Sequence, residues 1–242
     1  YRIASLVCGA QVVSASMKDN AIWADDILER VSAKTKLIFV ANPNNPTGTC
    51  LGKDEIMKLV SCIPTETLLV IDEAYAAFVR EKDFIRATDL INEHGNVVSI
   101  YTLSKSHGLA GVRIGFCVAA ESVIGTLNRI KPPFNMNILA LKAGEAALSD
   151  DEFLARTLET TWQGLDYLYE QIERLGLSYI PAQTNFVLIR IGDRCKEIYE
   201  GLLMRGIITR SMTSFGLDEY LRVTVGLPWE NEAFVKALSE IL

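Results

Sequence analysis

The chain has 242 residues, 49% of them hydrophobic, so it can bury a sizeable core in one large domain or two smaller ones. Its net charge is −6 and no stretch is rich in lysine or arginine, which argues against nucleic acid or an anionic membrane as a partner. No apolar run reaches the roughly 18 residues that a membrane span needs.

The five cysteines are scattered, and none belongs to a CxxC pair. This pattern is typical of a reducing compartment and predicts neither a disulfide framework nor a zinc site. The two histidines, His94 and His107, do not show metal-ligand spacing. We therefore expect a cytoplasmic protein without a bound metal.

The chain opens with YRIASLVCGAQVVSASM, without an initiator Met, a signal peptide or a polar lead-in. From this opening we expect a fragment, or a chain that lacks its first segment.

Over the first half, short β-branched runs alternate with helical patterns. This alternation predicts a parallel or mixed sheet covered by helices, an α/β structure. The predicted strands are 10–17, 36–42, 68–75, 96–104 and 114–120, and the predicted helices are 24–31 and 54–63.

The pattern changes at KPPFNMN (131–137), where two prolines interrupt it. A long helical region follows over 138–175, with a candidate break at SDDE (149–152). Further on, we predict strands over 184–191, 207–212 and 220–226 and helices over 193–206 and 230–242. The predicted division is a large domain, 1–130, an interdomain helix region, 131–150, and a small C-terminal domain, 151–242.

A loop of turn-forming residues, ANPNNPTGT (41–49), follows the predicted strand 36–42. One interpretation is a plain strand-to-helix connection. Its prolines and asparagines could instead hold side-chain amides in defined directions, which suits hydrogen bonding to a flat ligand that bears oxygen.

The predicted strand 68–75 carries Asp72 and Glu73 near its end, with Tyr75 close behind. Ligands of open α/β sheets bind outside the carboxyl ends of the strands, and an acid buried there is costly unless it is paired. The partner could be a lysine, a metal or a cationic ligand nitrogen, and the absence of metal-ligand spacing argues against the metal.

The stretch YTLSKSHGLAGVRIGF (101–116) carries the hydroxyls of Thr102 and Ser104 and the guanidinium of Arg113, a set that suits a phosphate. Neither a P-loop nor a GxGxxG pattern is present, so a nucleoside triphosphatase or a dinucleotide-binding enzyme is not supported. Lys105 lies among these groups, and a lysine beside a cation, partly shielded from water, becomes a usable nucleophile. Taken alone, Lys105 is better explained as a solvated loop lysine.

The three elements together closely resemble the fold-type-I pyridoxal-phosphate enzymes, specifically the aminotransferases. The histidinol-phosphate aminotransferase branch is the most similar, because NPNNPTG, DEAY, TLSK, GLAGVRIG, PPFN and LRVTVG recur there nearly as written. The resemblance runs from Tyr1 to Leu242. It implies an aspartate-aminotransferase-like large domain, with a mixed, mostly parallel sheet between helices and N-terminally incomplete, and a smaller C-terminal α/β domain.

By this resemblance, Lys105 links covalently to pyridoxal 5′-phosphate and moves the proton between substrate and cofactor. Asp72 pairs with the pyridinium nitrogen, which makes the ring an electron sink. Asn45 and Tyr75 hydrogen-bond the phenolic oxygen of the ring. The residues implied for the cofactor phosphate are Thr102, Ser104 and Arg113.

The resemblance also implies substrate-binding residues in the second half. Arg222, in LRVTVG, matches the family position that anchors a substrate carboxylate or phosphate. Arg210, in IITRSM, matches a second anion-binding arginine, although a solvated strand-end arginine is an equal alternative. Asn185, in TNFVLIR, either faces the substrate or serves a structural turn. Leu227 departs from the branch, which often has Thr there.

Family members carry an N-terminal segment that covers the cleft, adds a helix N-terminus for the cofactor phosphate and reaches the neighbouring subunit. This chain has no counterpart to it, so we expect weak or no cofactor binding and no activity from these residues alone. The resemblance further implies a homodimer.

The favoured function is transamination of histidinol phosphate with 2-oxoglutarate, giving imidazole acetol phosphate and glutamate in histidine biosynthesis. Alternatives within the same family are a threonine-phosphate decarboxylase and an aromatic amino-acid aminotransferase. An alternative from another class is an inactive aminotransferase-like fragment or ligand-binding module.

Overall fold

The computed structural model describes residues 1–242, which form eight α-helices and ten strands. The first part of the chain builds a hairpin and a four-stranded sheet. Its elements are α1 (Arg2–Val7), β1 (Met17–Lys18), β2 (Ala21–Ile22), α2 (Ala24–Glu29), β3 (Leu37–Ala41), α3 (Lys53–Cys62), β4 (Leu68–Asp72), β5 (Val97–Thr102), β6 (Gly115–Ala119) and α4 (Glu121–Ile130).

The second part builds another four-stranded sheet, preceded by two helices. Its elements are α5 (Ile138–Leu148), α6 (Asp151–Arg174), β7 (Ser178–Ile180), β8 (Phe186–Arg190), α7 (Cys195–Met204), β9 (Arg210–Ser211), β10 (Tyr220–Thr224) and α8 (Pro228–Ile241).

The first sheet has the strand order β3-β4-β5-β6, with β3, β4 and β5 parallel and β6 antiparallel at the edge. Successive side chains of a strand point to opposite faces. On one face Ile38, Val40, Leu69 and Ile71 join a buried core with residues of α2 and α3. The opposite face therefore carries Phe39 and Asp72.

The second sheet has the order β7-β8-β10-β9 and is antiparallel throughout. Val187, Ile189, Leu221 and Val223 face a second core that is shared with α6, α7 and α8. By the same alternation, Arg222 lies on the other face, which it shares with Phe186.

The two sheets are joined by contacts that link the loops of the first to α6 and the start of β8. The indole of Trp162 donates to the carbonyl of Phe78 at 2.8 Å. The main-chain N–H of Gln183 donates to the carbonyl of Gly48 at 2.7 Å. Gly48 has φ +80°, and a Cβ built there would come within 2.6 Å of the Ala182 Cβ, so only glycine permits this approach.

The structure corrects two strand predictions. Residues 10–16 are not a strand: the only bridge nearby joins β1 to β2, and without a partner the backbone has no ladder to complete. The predicted strand 207–212 is reduced to β9, two residues paired with β10. The candidate break at 149–152 is confirmed, because α5 ends at Leu148 and α6 begins at Asp151.

Four elements were not predicted from the sequence, namely α1, β2, α4 and β7. α1 and α4 contain no buried residue, although Val123, Leu127 and Ile130 give α4 an apolar stripe at helical spacing that the sequence prediction missed. β7 has only three residues, too few for a period-2 pattern. None of the helices combines the length and the hydropathy of a membrane span.

Candidate active site

The carboxyl end of β4 presents Asp72 between its two neighbouring strands. Asp72 pairs in register with Ala41 of β3 and Ile100 of β5, the usual position for a ligand-binding group in such a sheet. Its Oδ1 accepts the main-chain N–H of Ala74 at 3.0 Å, and its Oδ2 accepts the hydroxyl of Tyr1 at 2.5 Å. The predicted cationic partner is therefore not a side chain of this protein, since both of these partners are neutral donors.

The next residue, Glu73, points to the core face and has a different role. It is buried, its Oε1 accepts the N–H of Ala87 at 3.2 Å, and its Oε2 accepts the hydroxyl of Ser99. Burial raises the pKa of the Glu73 carboxyl, against the opposing effect of these hydrogen bonds. Glu73 thus ties the end of β4 to β5 and to the turn at Ala87.

The loop at 42–49 uses its asparagines for two purposes. Asn42 is buried, and its amide exchanges hydrogen bonds with the main chain of Leu51, at 2.7 Å and 3.3 Å. Asn44 is also buried and donates to the hydroxyl of Thr47 at 2.8 Å. Asn45 alone of the three is exposed, and its amide does not hold the loop: its Oδ1 accepts a hydrogen bond from Arg222 of the second sheet.

Tyr75 and Lys105 meet in front of the first sheet. The Lys105 ammonium lies over the Tyr75 ring, 5.4 Å from its centroid, and Lys105 is exposed. The Tyr75 ring is buried and packs edge-on against Phe186 of the second sheet, with centroids 5.2 Å apart. The structure therefore brings together Lys105 and Tyr75, which are 30 positions apart in the chain.

The three residues predicted for a phosphate do not all converge. The Oγ1 of Thr102 accepts the N–H of Ser104 at 3.1 Å, so these two hydroxyl residues are neighbours. Arg113 has a left-handed backbone, with φ +61°, and its guanidinium donates to the carbonyl of Ala110 at 2.8 Å. No hydrogen bond joins Arg113 to Thr102 or Ser104.

Arg222 extends from the middle of β10 towards the first sheet. Its Nη1 donates to the Asn45 Oδ1 at 2.5 Å, and its guanidinium lies over the Phe186 ring, 4.8 Å from the centroid. Its Nε is buried without a hydrogen-bond partner, which is a costly state for a charged donor. Burial lowers the pKa of Arg222. The charge of nearby Arg210 lowers this pKa further, whereas the electrostatic effect of Tyr75 raises it.

Arg210 lies directly opposite Arg222 in the β9–β10 register, and its side chain is exposed. Two guanidinium groups on neighbouring strands repel each other unless an anion lies between them. Asn185 is half-buried and its carbonyl accepts the N–H of Val225 at 2.9 Å, a main-chain contact that suits its structural alternative.

Sequence reasoning did not identify Tyr1 or Phe186 as part of this site. Tyr1 stacks on Phe39, with ring centroids 4.8 Å apart, and reaches Asp72 across 71 positions of sequence. Phe186 joins the two halves of the site because it contacts both Tyr75 and Arg222. Phe186 lies in the predicted strand 184–191, and the sequence assigned it no role beyond that strand.

Residues 3–238 match the family model described as aminotransferase class I and II. The chain is 40% identical over 242 residues to histidinol-phosphate aminotransferase 2 of Pasteurella multocida and 41% identical over 241 residues to histidinol-phosphate aminotransferase 1 of Idiomarina loihiensis. In each comparison all of this chain is covered, and 66% of the relative. The chain thus spans just under two thirds of the length of these relatives.

Solved structures agree with this fold. The histidinol-phosphate aminotransferase of Clostridium acetobutylicum superimposes with a TM-score of 0.92 at 22% identity, covering 100% of this chain and 74% of that one. The histidinol-phosphate aminotransferase of Sinorhizobium meliloti, solved in complex with pyridoxal-5′-phosphate, superimposes with a TM-score of 0.86 at 24% identity. The match covers 99% of this chain and 66% of that one. The L-threonine-O-3-phosphate decarboxylase of Porphyromonas gingivalis superimposes with a TM-score of 0.83 at 26% identity, covering 99% of this chain and 73% of that one.

The strand-end carboxylate of Asp72, the Lys105 amine over the Tyr75 ring and Arg222 of the second sheet make up the candidate site. Because residues 3–238, nearly the whole chain, match the family model, the chain belongs to the class I and II aminotransferase family. The aspartate-aminotransferase-like α/β fold that the sequence predicted is confirmed.

Proposed function

We propose that the protein is a pyridoxal 5′-phosphate-dependent aminotransferase that transfers the amino group of histidinol phosphate to 2-oxoglutarate. The observation that carries the proposal is the convergence of Asp72, Tyr75 and Lys105 in front of the first sheet, facing Arg222 of the second. The names of the relatives at 40% and 41% identity support the choice of substrate.

The residues present fit this cofactor. Asp72 offers a carboxylate whose two protein partners are neutral, which suits the protonated ring nitrogen of pyridoxal phosphate. Lys105 offers an exposed primary amine beside the Tyr75 ring. Ser104 and Thr102 offer hydroxyls for the phosphate, and Arg113 would exchange its bond to the Ala110 carbonyl for one to that group.

When bound, the cofactor supplies an electron sink for the negative charge that develops on the substrate carbon. The protein supplies binding, orientation and proton movement. Asp72 would hold the proton on the ring nitrogen, and Tyr75 and Asn45 would hydrogen-bond the phenolic oxygen of the ring. Lys105 would anchor the cofactor and would carry the proton at its Nζ.

The arginines would bind the acidic ends of the substrates. Arg222 has a buried Nε with no partner and only a neutral amide on Nη1, so a carboxylate or phosphate would satisfy it. Arg210, opposite Arg222 in register, would contact the second carboxylate of 2-oxoglutarate, and Asn185, just before β8, would face the substrate.

The experiment uses the complete product of the gene, incubated with pyridoxal phosphate at neutral pH. We expect a visible absorbance band from the lysine-linked cofactor in the wild type, its loss in Lys105→Ala, and its retention in the control Lys34→Ala, an exposed lysine outside the site. A band that survives in Lys105→Ala would contradict the assignment of the lysine.

A second candidate is decarboxylation of a phosphorylated amino acid. It is favoured by the 0.83 TM-score to L-threonine-O-3-phosphate decarboxylase and by the paired arginines, which suit a substrate that carries a phosphate. Glutamate formation from histidinol phosphate and 2-oxoglutarate supports the aminotransferase, whereas CO2 release from threonine phosphate supports the decarboxylase. Glutamate formation from an aromatic amino acid and 2-oxoglutarate would instead support the aromatic amino-acid aminotransferase.

We also propose that the protein is a cytoplasmic homodimer. Exposed apolar side chains at Phe134, Ile138 and Leu139, in and just before α5, support a partner surface there. The scattered cysteines, all of them free, support a reducing compartment. Sedimentation equilibrium of the complete gene product tests the dimer, and a monomer at micromolar concentration would contradict it.

A further inference from the structure

The hydrogen bond between Tyr1 and Asp72 lies at the centre of the candidate cofactor site. The Tyr1 hydroxyl donates to Oδ2 of Asp72 at 2.5 Å, and the Ala74 N–H donates to Oδ1 at 3.0 Å. A carboxylate has about four lone-pair sites on its two oxygens, so each oxygen keeps one for a ligand. The two donors therefore fix the carboxylate without using all of its capacity.

The Tyr1 ring is itself held in place by Phe39. The two rings are stacked, with centroids 4.8 Å apart and an interplanar angle of 9°. Phe39 lies on β3, on the same face of the first sheet as Asp72. The aromatic contact thus aims the hydroxyl at the carboxylate, although about half of the Tyr1 surface is exposed, at 54%.

The Tyr1 hydroxyl keeps its proton and remains a donor. Burial raises the pKa of the Tyr1 phenol, and the hydrogen bond and charge of Asp72 raise it further. A phenol that stays neutral adds no charge to compete with a cationic ring nitrogen. It contributes direction instead, because a hydrogen bond to a carboxylate restricts the rotation of that group.

We propose that Tyr1 is a positioning residue that fixes the Asp72 carboxylate so that its free lone pair meets the ring nitrogen of pyridoxal phosphate. This inference rests on the proposed function. The opposite role would be occlusion, in which the Tyr1 hydroxyl occupies the place of the ring nitrogen on Asp72. The two roles predict opposite changes in cofactor affinity when the hydroxyl is removed.

Tyr1→Phe removes the hydroxyl and keeps the ring that stacks on Phe39. Tyr179→Phe is a matched control: Tyr179 stacks on Tyr169 at 4.3 Å and donates to a carboxylate, that of Glu173, at 2.8 Å. We expect Tyr1→Phe to weaken binding of pyridoxal phosphate by about threefold to tenfold, the range for one lost hydrogen bond, and Tyr179→Phe to leave it unchanged.

A second ligand separates positioning from a general structural role. The 1-deaza analogue of pyridoxal phosphate has carbon in place of the ring nitrogen and cannot use Asp72. Positioning predicts that Tyr1→Phe weakens binding of pyridoxal phosphate but not of the deaza analogue, a coupling that a thermodynamic cycle measures. Pyridoxine 5′-phosphate, which lacks the aldehyde, gives the same comparison without a link to Lys105.

The outcomes separate the two proposals. If the wild type does not bind pyridoxal phosphate, the proposed function fails and this inference fails with it. If the wild type binds but Tyr1→Phe changes nothing, weakens both ligands equally, or tightens binding, the proposed function stands and the positioning role is overturned.

Discussion

The two sheets contribute to the candidate site in different ways. The first sheet presents Asp72 at the end of a parallel strand, with both carboxylate oxygens already bonded to donors. The second sheet presents Arg222 from the middle of an antiparallel strand, with its Nε buried and unpaired. The carboxylate of the first sheet is already held by two donors of the protein, whereas the Nε of Arg222 has no acceptor.

This difference indicates that the first sheet binds the cofactor, which stays bound, and that the second sheet binds the substrate, which is exchanged at each turnover. A group that holds a permanent ligand benefits from being fixed in advance, because orientation is then not lost at each turnover. A desolvated arginine without a full set of acceptors gains most when an anion arrives. The first sheet therefore suits the cofactor and the second the substrate.

The largest expected effect is at Gly48, where the main chain of the first half contacts that of the second through the Gln183 N–H. Gly48→Ala should lower the free energy of unfolding by about 2–4 kcal/mol, because the added Cβ clashes with Ala182 and the left-handed backbone is strained. Gly9→Ala is the matched control, since Gly9 has φ +75° with nothing within 4 Å. Denaturant unfolding of both variants isolates the clash from the backbone strain, and equal losses would contradict the close approach.

The next largest effect should distinguish the two arginines. Arg222→Leu should raise the KM for the anionic substrate by about 30-fold or more, since losing one member of a desolvated charge pair costs roughly 2 kcal/mol or above. Arg210→Leu should have a smaller effect, because Arg210 is exposed. Steady-state kinetics with cofactor affinity measured in parallel checks this, and a loss confined to cofactor binding would contradict the division between the sheets.

A smaller effect concerns Glu73, which supports the first sheet from the core side. Its pKa is raised above the ordinary value of 4.5. Between pH 4.5 and the raised pKa, the folded state therefore keeps the proton that the unfolded state has already released. Its contribution to stability is therefore complete below pH 4.5 and declines as the pH rises through the raised value. Glu73→Gln should remove this decline.

Unfolding free energies of the wild type and Glu73→Gln across a pH series give the test. Subtracting the Glu73→Gln free energy from the wild-type value at each pH removes the contribution of the other carboxyl groups. These include Asp26, whose pKa is lowered by its hydrogen bond to Arg30. Glu66→Gln, an exposed glutamate, serves as the control. A wild-type minus Gln difference that does not change with pH would show that the Glu73 pKa is the same in the folded and unfolded states, which would contradict the raised pKa.

The first sheet could be predicted from the sequence because its strands are short apolar runs that end in polar residues. Asp72 and the loop at 42–49 carry that signal locally. Arg222 carries no local signal, since an arginine inside an alternating strand usually faces water, and only the resemblance to a family selected it. The Tyr1–Asp72 contact joins residues 71 positions apart and could not be derived from either segment alone.

The segment 10–17 shows the converse failure. It has β-branched residues and a strand-like composition, yet a strand exists only when a neighbour completes its hydrogen bonds, and residues 10–16 have none. The domain limits at 130 and 150 stay predictions, as do the roles of the individual site residues.

The most direct test of the account is to locate the cofactor on the chain. The complete gene product is loaded with pyridoxal phosphate, reduced with borohydride to make the lysine link permanent, digested and mapped by mass spectrometry. The account predicts one modified peptide, containing Lys105, and its absence in Lys105→Ala. Modification spread over surface lysines such as Lys34, or confined to a different lysine, would contradict the assignment of the site.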